Sequence, residues 1–533
     1  MNIPNAINKI YTNHPILFLL AANAVFIASA ISILPFYFED NDDVTMIGII
    51  SGAMFGTPDY HSVFINSLLG FVSSRLYLLS NSIEWYTLLF VILHIISCTI
   101  ISNFILNHFL GRVLKLAGGV FLYSVEIILL THFQFTTTAC LSATAALFLI
   151  IDNRKGIRIQ GILLFILASF IRFHAAMLTG LVFVCAYPYY IYKTGFDKRI
   201  FFSLCFCLCV AFTGRFADVQ VYRQDSDWSY YYDYNSVRGQ LNDSSNEWRY
   251  YSALPESVDT ASYELFRWYF FQDPEVLDLS ALKQIQSNIE KQYKYKGIPH
   301  IKKNKNVLEQ VKNYYWEMLV CLLISCVIFI KLSSSREALL LIPLSLCLPL
   351  VLSYIALDSY VKYRVFLCTI IPLILIHIFI FCITTKKRQG LSYVLGVLVL
   401  ILSCHLATPS LRSACGGGSS SNSQVIDPKG IYIYDASCFR ISPWKIRTMQ
   451  FSEYGTGWAS AMPHLKSITY KNLIDNNDTP LIIKSFRYNE FCTLITHSIK
   501  NQYQKKVKPI IINEDGDKTM FYLVSESNED SNP

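Results

Sequence analysis

The chain has 533 residues, 53% of them hydrophobic and only 16% charged, with a mean hydropathy of +0.36, which is too apolar and too weakly charged for a soluble protein of this size. Gly (23) and Pro (18) are sparse and form no period, which excludes a fibrous or disordered chain. The formal charge of +7 lies in short Lys/Arg clusters between apolar runs, a pattern that orients a membrane protein and does not call for nucleic acid.

A helix needs about 17–25 apolar residues to cross a bilayer. Such runs lie at 15–38, 85–108, 114–131, 134–151, 159–174, 176–192, 199–214, 316–332, 338–357, 365–383 and 390–408, about eleven spans. The first follows a polar segment whose only basic residue is Lys9 and ends in no small-residue cleavage site, so it reads as a retained span and not as a signal peptide. With the N-terminus in the cytoplasm, the inner loops hold Arg112/Lys115, Arg154/Lys155/Arg158, Lys193/Lys198/Arg199, Lys331/Arg336 and Lys386/Lys387/Arg388. The outer side keeps only Arg75, Arg172, Lys362 and Arg364 in its short segments, as the positive-inside rule requires.

The long polar segments then fall outside: 39–84, 215–315 and a tail from 409 to 533. Residues 61–80 alternate apolar and polar as an interfacial amphipathic helix does, and Trp85 and Tyr86 open the next span where aromatic anchors belong. The 215–315 loop is rich in Trp and Tyr (Trp228, Tyr230, Tyr231, Tyr232, Tyr234, Trp248, Tyr250, Tyr251), and its 280–313 stretch reads as helical. After the flexible run Gly416 to Ser423, residues 430–434 and 480–486 and a hairpin around Glu514-Asp515-Gly516 predict strands. The fold class is therefore an α-helical polytopic membrane protein, with a membrane part over 1–408 and a small α/β extracytoplasmic domain over 409–533. No internal repeat of the transporter type is visible.

Of the 15 cysteines, Cys98, Cys140, Cys205, Cys207, Cys209, Cys321, Cys326, Cys347 and Cys368 sit inside apolar runs as small hydrophobes. No CxxC pair or His/Cys metal spacing occurs. Three more lie in the tail, where an oxidising compartment favours one bridge. We expect Cys438 with Cys492, since Cys415 adjoins the glycine run.

The strongest chemical signal is Glu39-Asp40-Asn41-Asp42-Asp43, four carboxylates directly after the first span. In a helix, Glu39 and Asp40 would each approach Asp43, and each like-charge pair costs about 0.2–0.5 kcal/mol unless a cation or a raised pKa relieves it. The plain alternative is a solvated acidic loop. Arg172 and His174 at the outer end of the fifth span, and Lys362 and Arg364 before the tenth, add cations on the same side, where they suit an anionic lipid phosphate or snorkel to headgroups. A lone Glu126 near an outer helix end reads as pairing with a neighbouring helix.

Taken together, Asp42-Asp43, Tyr234-Asn235-Ser236-Val237-Arg238 and Lys362-Tyr363-Arg364-Val365, with this layout of spans and outer tail, resemble the GT-C class of membrane glycosyltransferases. Within that class the layout is most similar to the serotype-converting glucosyltransferases of bacterial O-antigen, over about 1–408; the tail matches none of it. The resemblance implies a bacterial inner-membrane enzyme that moves a sugar, glucose in those relatives, from a polyprenyl-phosphate donor to an envelope glycan or lipid-linked glycan on the outer face, with inversion. Under it, Asp42 and Asp43 supply base and orienter, and Arg172, His174, Lys362 and Arg364 hold the donor phosphate. Glu39, Asp40, Tyr234 and Arg238 fall to substrate binding. Metal use differs within the class, so a divalent cation such as Mg or Mn stays open. A lipid-linked glycan polymerase would share the spans and cations without needing the acidic pair, and a transporter or flippase would place its ionisable groups near mid-membrane.

Overall fold

A computed structural model describes residues 14–526 except 40, 153, 243–252, 269–272, 297–306, 333, 358, 385–388, 416–432, 435–441, 450, 452–456, 466–468, 470–472, 474–479 and 516–517. Helix α1 (Pro15–Ile33) is followed by two short helices, α2 (Asn41–Ser51) and α3 (Ser67–Leu79). Next come α4 (Trp85–His108), α5 (Gly111–Thr131), α6 (Phe135–Ile150), α7 (Lys155–Ile171), α8 (Phe173–Thr194) and α9 (Lys198–Arg223). A polar stretch carries α10 (Ser226–Asn242), α11 (Thr260–Arg267) and α12 (Leu279–Lys296) before the apolar helices resume with α13 (Tyr315–Lys331), α14 (Ser335–Ala356), α15 (Tyr363–Ile383) and α16 (Gln389–Cys415).

Among the described residues, eight helices are long and apolar enough to cross a membrane: α1, α4, α5, α8, α9, α14, α15 and α16. The other three predicted runs also coincide with helices, but α6 has 16 residues and α7 and α13 have 17. At 1.5 Å per residue, 16 residues reach about 24 Å, short of a hydrocarbon core of about 30 Å. Helix α6 escapes that limit because it is interior, with every residue but Leu149 buried. Its Thr- and Ala-rich sequence lets neighbours approach closely. A Cβ at Gly161 of α7 would stand 2.8 Å from the Ala146 carbonyl oxygen and from Leu149 Cβ on α6. Helix α15 is similarly enclosed from Phe366 to Cys382, and these two helices form the axis of the bundle core.

Several boundaries differ from the sequence expectation. The interfacial helix starts at Ser67, not at 61; Val63 N is held by the Tyr222 hydroxyl at 2.7 Å and Asn66 caps α3. Helix α3 packs its small polar side (Ser67, Gly70, Ser73, Ser74) inward and leaves Leu68, Phe71, Val72, Leu78 and Leu79 exposed, the arrangement of a helix lying on lipid. Helix α9 runs nine residues past 214, because its polar last turns bond to protein: Asp218 accepts from Ser67 N at 2.8 Å and pairs with Arg215 at 2.6 Å. Helix α16 likewise continues beyond 408, through Pro409. Tyr86 is no interfacial anchor, since it is 2% exposed and faces the bundle.

The tail holds a four-stranded sheet of order β1-β2-β4-β3, formed by β1 (Ile433–Tyr434), β2 (Leu481–Lys484), β3 (Val507–Asp515) and β4 (Lys518–Ser525). β1 runs parallel to β2, and the β3–β4 hairpin is antiparallel with a bulge between Ile511 and Asn513. Helix α17 (Tyr488–Tyr503) packs on it through Phe491, Ile495 and Ile499 against Leu481, Ile483 and Phe521. Leu265 of α11 belongs to the same core, and Gln502 donates to Asp259 at 2.8 Å, so the tail is tied to the 215–315 segment. Cys492 is a buried thiol; its expected partner Cys438 lies outside the described residues, as does the side chain of Cys415.

Candidate functional site

The acidic pair opens α2, where the unsatisfied N–H groups and the helix dipole favour carboxylates. Consecutive helix positions point about 100° apart, and here that separates two roles. Asp43 turns inward and is fully buried: its Oδ1 accepts from the Tyr86 hydroxyl at 2.7 Å and from Phe135 N, the first residue of α6, at 3.1 Å. It therefore caps the interior helix. Burial pushes its carboxyl well above the usual aspartate range, against the Tyr86 hydrogen bond that pulls it down.

Asp42 turns the other way and keeps 16% of its side chain exposed. Its Oδ1 accepts from the Trp458 indole N–H at 2.9 Å, and its Oδ2 lies 3.8 Å from the Arg364 guanidinium. Burial raises its carboxyl, while Lys362, Arg172, the Trp458 hydrogen bond and Arg238 all act to lower it. Four cationic side chains from three places in the fold thus converge on one carboxylate. Lys362 and Arg364 open α15, Arg172 sits at the joint between α7 and α8, and Arg238 projects from α10. The Arg172 guanidinium stacks 5.2 Å from the Phe135 ring and 5.5 Å from Phe64, which fixes its direction. Arg238 is 6% exposed and donates through Nε to Asn235 Oδ1 at 3.0 Å.

Glu39 lies just before the helix, with its backbone N–H donated to the Phe133 carbonyl at 3.1 Å. Burial raises its carboxyl, with Arg364 opposing and Asp42 adding to the rise, so Arg364 lies between two acids. The expected approach of Glu39 to Asp43 within one helix does not occur, because the helix begins at Asn41. Asp40 lies outside the described residues. His174 is exposed beside Arg215 and beside Arg172, one of the cations that act on Asp42. Tyr234 is buried on α10. Glu126 is fully buried on α5 and pairs with His94 Nδ1 of α4 at 2.8 Å, a helix-to-helix contact.

Trp458 is the residue that sequence reasoning missed. It lies 416 positions from Asp42, and its Gly457-Trp458-Ala459 turn carries no periodic signal. The tail reaches the site as a strap. Thr87 of α4 donates to the Pro443 carbonyl at 2.7 Å, and Glu84 accepts from Arg447 N at 2.9 Å. A Cβ at Gly48 of α2 would come 2.6 Å from the Phe451 ring, so only glycine admits that crossing. Finally the Tyr231 hydroxyl of α10 donates to the Trp458 carbonyl at 3.1 Å, and Phe64 meets the indole edge-on at 4.8 Å. The aromatic run of the 215–315 loop thus turns mostly inward: Trp228, Tyr231 and Tyr234 are buried, and His61, bonded to Asp59 at 2.7 Å, stacks on Trp228 at 4.3 Å.

Among the described residues no group of three or more His, Cys, Asp or Glu is placed to hold a metal ion. Asp42 and Glu39 share Arg364, a donor set that fits an anionic ligand better than a divalent cation. Chemically, the site offers one directed carboxylate beside a patch of positive charge. The chain matches no known protein family, no curated protein and no solved structure.

Proposed function

We propose that the protein is a GT-C-type membrane glycosyltransferase that moves a sugar from a polyprenyl-phosphate donor to an envelope glycan on the outer side of the membrane. The observation that carries this reading is the Asp42 carboxylate, oriented by Trp458 and surrounded by Arg364, Lys362, Arg172 and Arg238 at one end of an apolar helix bundle. The positive-inside distribution of Lys and Arg supports putting that end outside.

In the proposed reaction, Asp42 accepts the proton of an acceptor hydroxyl as its oxygen attacks the anomeric carbon. The bond from that carbon to the phosphate oxygen breaks as the new glycosidic bond forms on the opposite face, which inverts the centre. The electron pair leaves with the polyprenyl phosphate, and the Arg and Lys side chains stabilise the charge that develops on it. Arg suits this task because its planar fork can hold two phosphate oxygens at once. Asp43, enclosed beneath α6, holds the framework and does not reach substrate.

The test is direct. Purified protein in lipid nanodiscs receives a polyprenyl-phosphate hexose and envelope glycan, and free polyprenyl phosphate and labelled glycan are measured. Equal release of both supports transfer. Consumption of no polyprenyl-phosphate hexose, over a panel of glucose, galactose and mannose donors, would refute the reading.

A further inference from the structure

Beside Trp458 lies a cavity of about 110 Å³ that the chemistry above does not use. Tyr230 and Tyr234 of α10 form one wall, Pro274 and Asp278 a second, and Ser460 and Met462 of the tail a third. The two tyrosines stand one helical turn apart as a near-parallel, stacked pair, with ring centroids 6.3 Å from each other and planes inclined by 20°. Asp278 sits at the start of α12, where its Oδ1 accepts from Ala281 N at 2.7 Å. A single water needs about 10–15 Å³ of such space, so the cavity holds roughly seven to eleven waters, comparable with one pyranose ring.

The lining selects among ligand classes. An aromatic plane offers a surface for the axial C–H face of a sugar, while the carboxylate and the Ser460 hydroxyl offer partners for its hydroxyls. A phosphate would meet Asp278 with like charge. A lipid tail would need apolar walls throughout, which Asp278 and Ser460 interrupt. The cavity is also mechanically joined to the reacting carboxylate: Ser460 and Met462 follow Trp458 within four residues, and Tyr231, between the two tyrosines, donates to the Trp458 carbonyl.

We propose that this cavity binds one neutral pyranose ring and is the acceptor-saccharide subsite. The word acceptor rests on the glycosyltransferase reading; saccharide binding itself does not. The full-length protein in nanodiscs is probed by saturation-transfer difference NMR with methyl α-D-glucopyranoside, methyl α-D-galactopyranoside and methyl α-L-rhamnopyranoside. At least one is expected to receive saturation on its ring C–H protons. Its apparent affinity should fall about tenfold in Tyr230→Ala and clearly in Asp278→Asn. Tyr230 is 45% exposed, and Asn retains the helix cap, so neither change threatens the fold. Absence of transfer to all three sugars, or transfer that is the same in Tyr230→Ala and wild type, overturns the proposal. Protein that binds sugar through Tyr230 yet transfers none would sustain the saccharide site and refute the transferase reading instead.

Discussion

Replacing Trp458 by Phe keeps an aromatic ring in the strap and deletes the N–H that Asp42 accepts at 2.9 Å. A hydrogen bond to a charged acceptor contributes about 1.5–3 kcal/mol against about 0.5–1.5 kcal/mol for one to a neutral acceptor, so losing the N–H should favour the protonated form of Asp42 by about 1–1.5 kcal/mol and raise its carboxyl. The direction is set by the balance at the site: burial already raises this group, and Trp458 is among the partners that hold it down. A base must be ionised to take a proton, so the acid limb of the kcat/KM profile should move to higher pH. Above the shifted limb, the rate should return toward wild type. The assay is hexose transfer in nanodiscs across the pH range, with thermal unfolding as a control for the slightly smaller ring. An acid limb that stays in place while the protein remains folded would refute the idea that Trp458 tunes Asp42.

Further outcomes separate the neighbouring residues. Asp42→Asn should lower transfer about 10²–10⁴-fold with normal membrane expression, whereas Asp43→Asn, whose Oδ1 still accepts from Tyr86 and Phe135 N, should cost far less; equal losses in a turnover assay would argue against the division between them. Arg364→Ala should raise KM for the polyprenyl-phosphate donor more than KM for the glycan, and steady-state kinetics in both substrates read the split. Because burial raises the Asp43 carboxyl in the fold, its contribution to stability is complete below the ordinary aspartate range and is lost as pH rises through the raised folded value. Melting temperature should therefore decline toward alkaline pH more steeply in wild type than in Asp43→Asn. Tyr86→Phe removes a buried hydrogen bond to that carboxyl and should destabilise the protein by about 0.5–1.5 kcal/mol, measured by denaturation in nanodiscs.

The helices were largely legible because apolar runs and basic clusters are local signals. What escaped was long-range. Nothing near Phe135 reveals that its helix is interior, since a 16-residue apolar run reads the same whether lipid or protein surrounds it. The end of α9 is not legible because its last turns are polar, and the partners that hold them, Ser67 N at 151 positions away and Tyr232 on the next helix, leave no mark on the local apolar pattern. At the site, the charge types at span ends pointed to Asp42, Arg172, Lys362 and Arg364, but not to which aspartate faces inward. That depended on Tyr86 and the α6 N-terminus, and the Trp458 contact had no sequence signature at all.

The strap also sets a timetable. Asp42 is made early in synthesis and Trp458 more than four hundred residues later, so a ribosome must complete every apolar helix before the indole can reach its carboxylate. The half-made protein, already threaded into the bilayer, would carry its charged end without the groups that orient it. On the proposed function, the oriented carboxylate would arrive late and all at once, when the last quarter of the chain folds back over the bundle, and premature termination anywhere before residue 458 would yield an inserted product without the Trp458–Asp42 hydrogen bond.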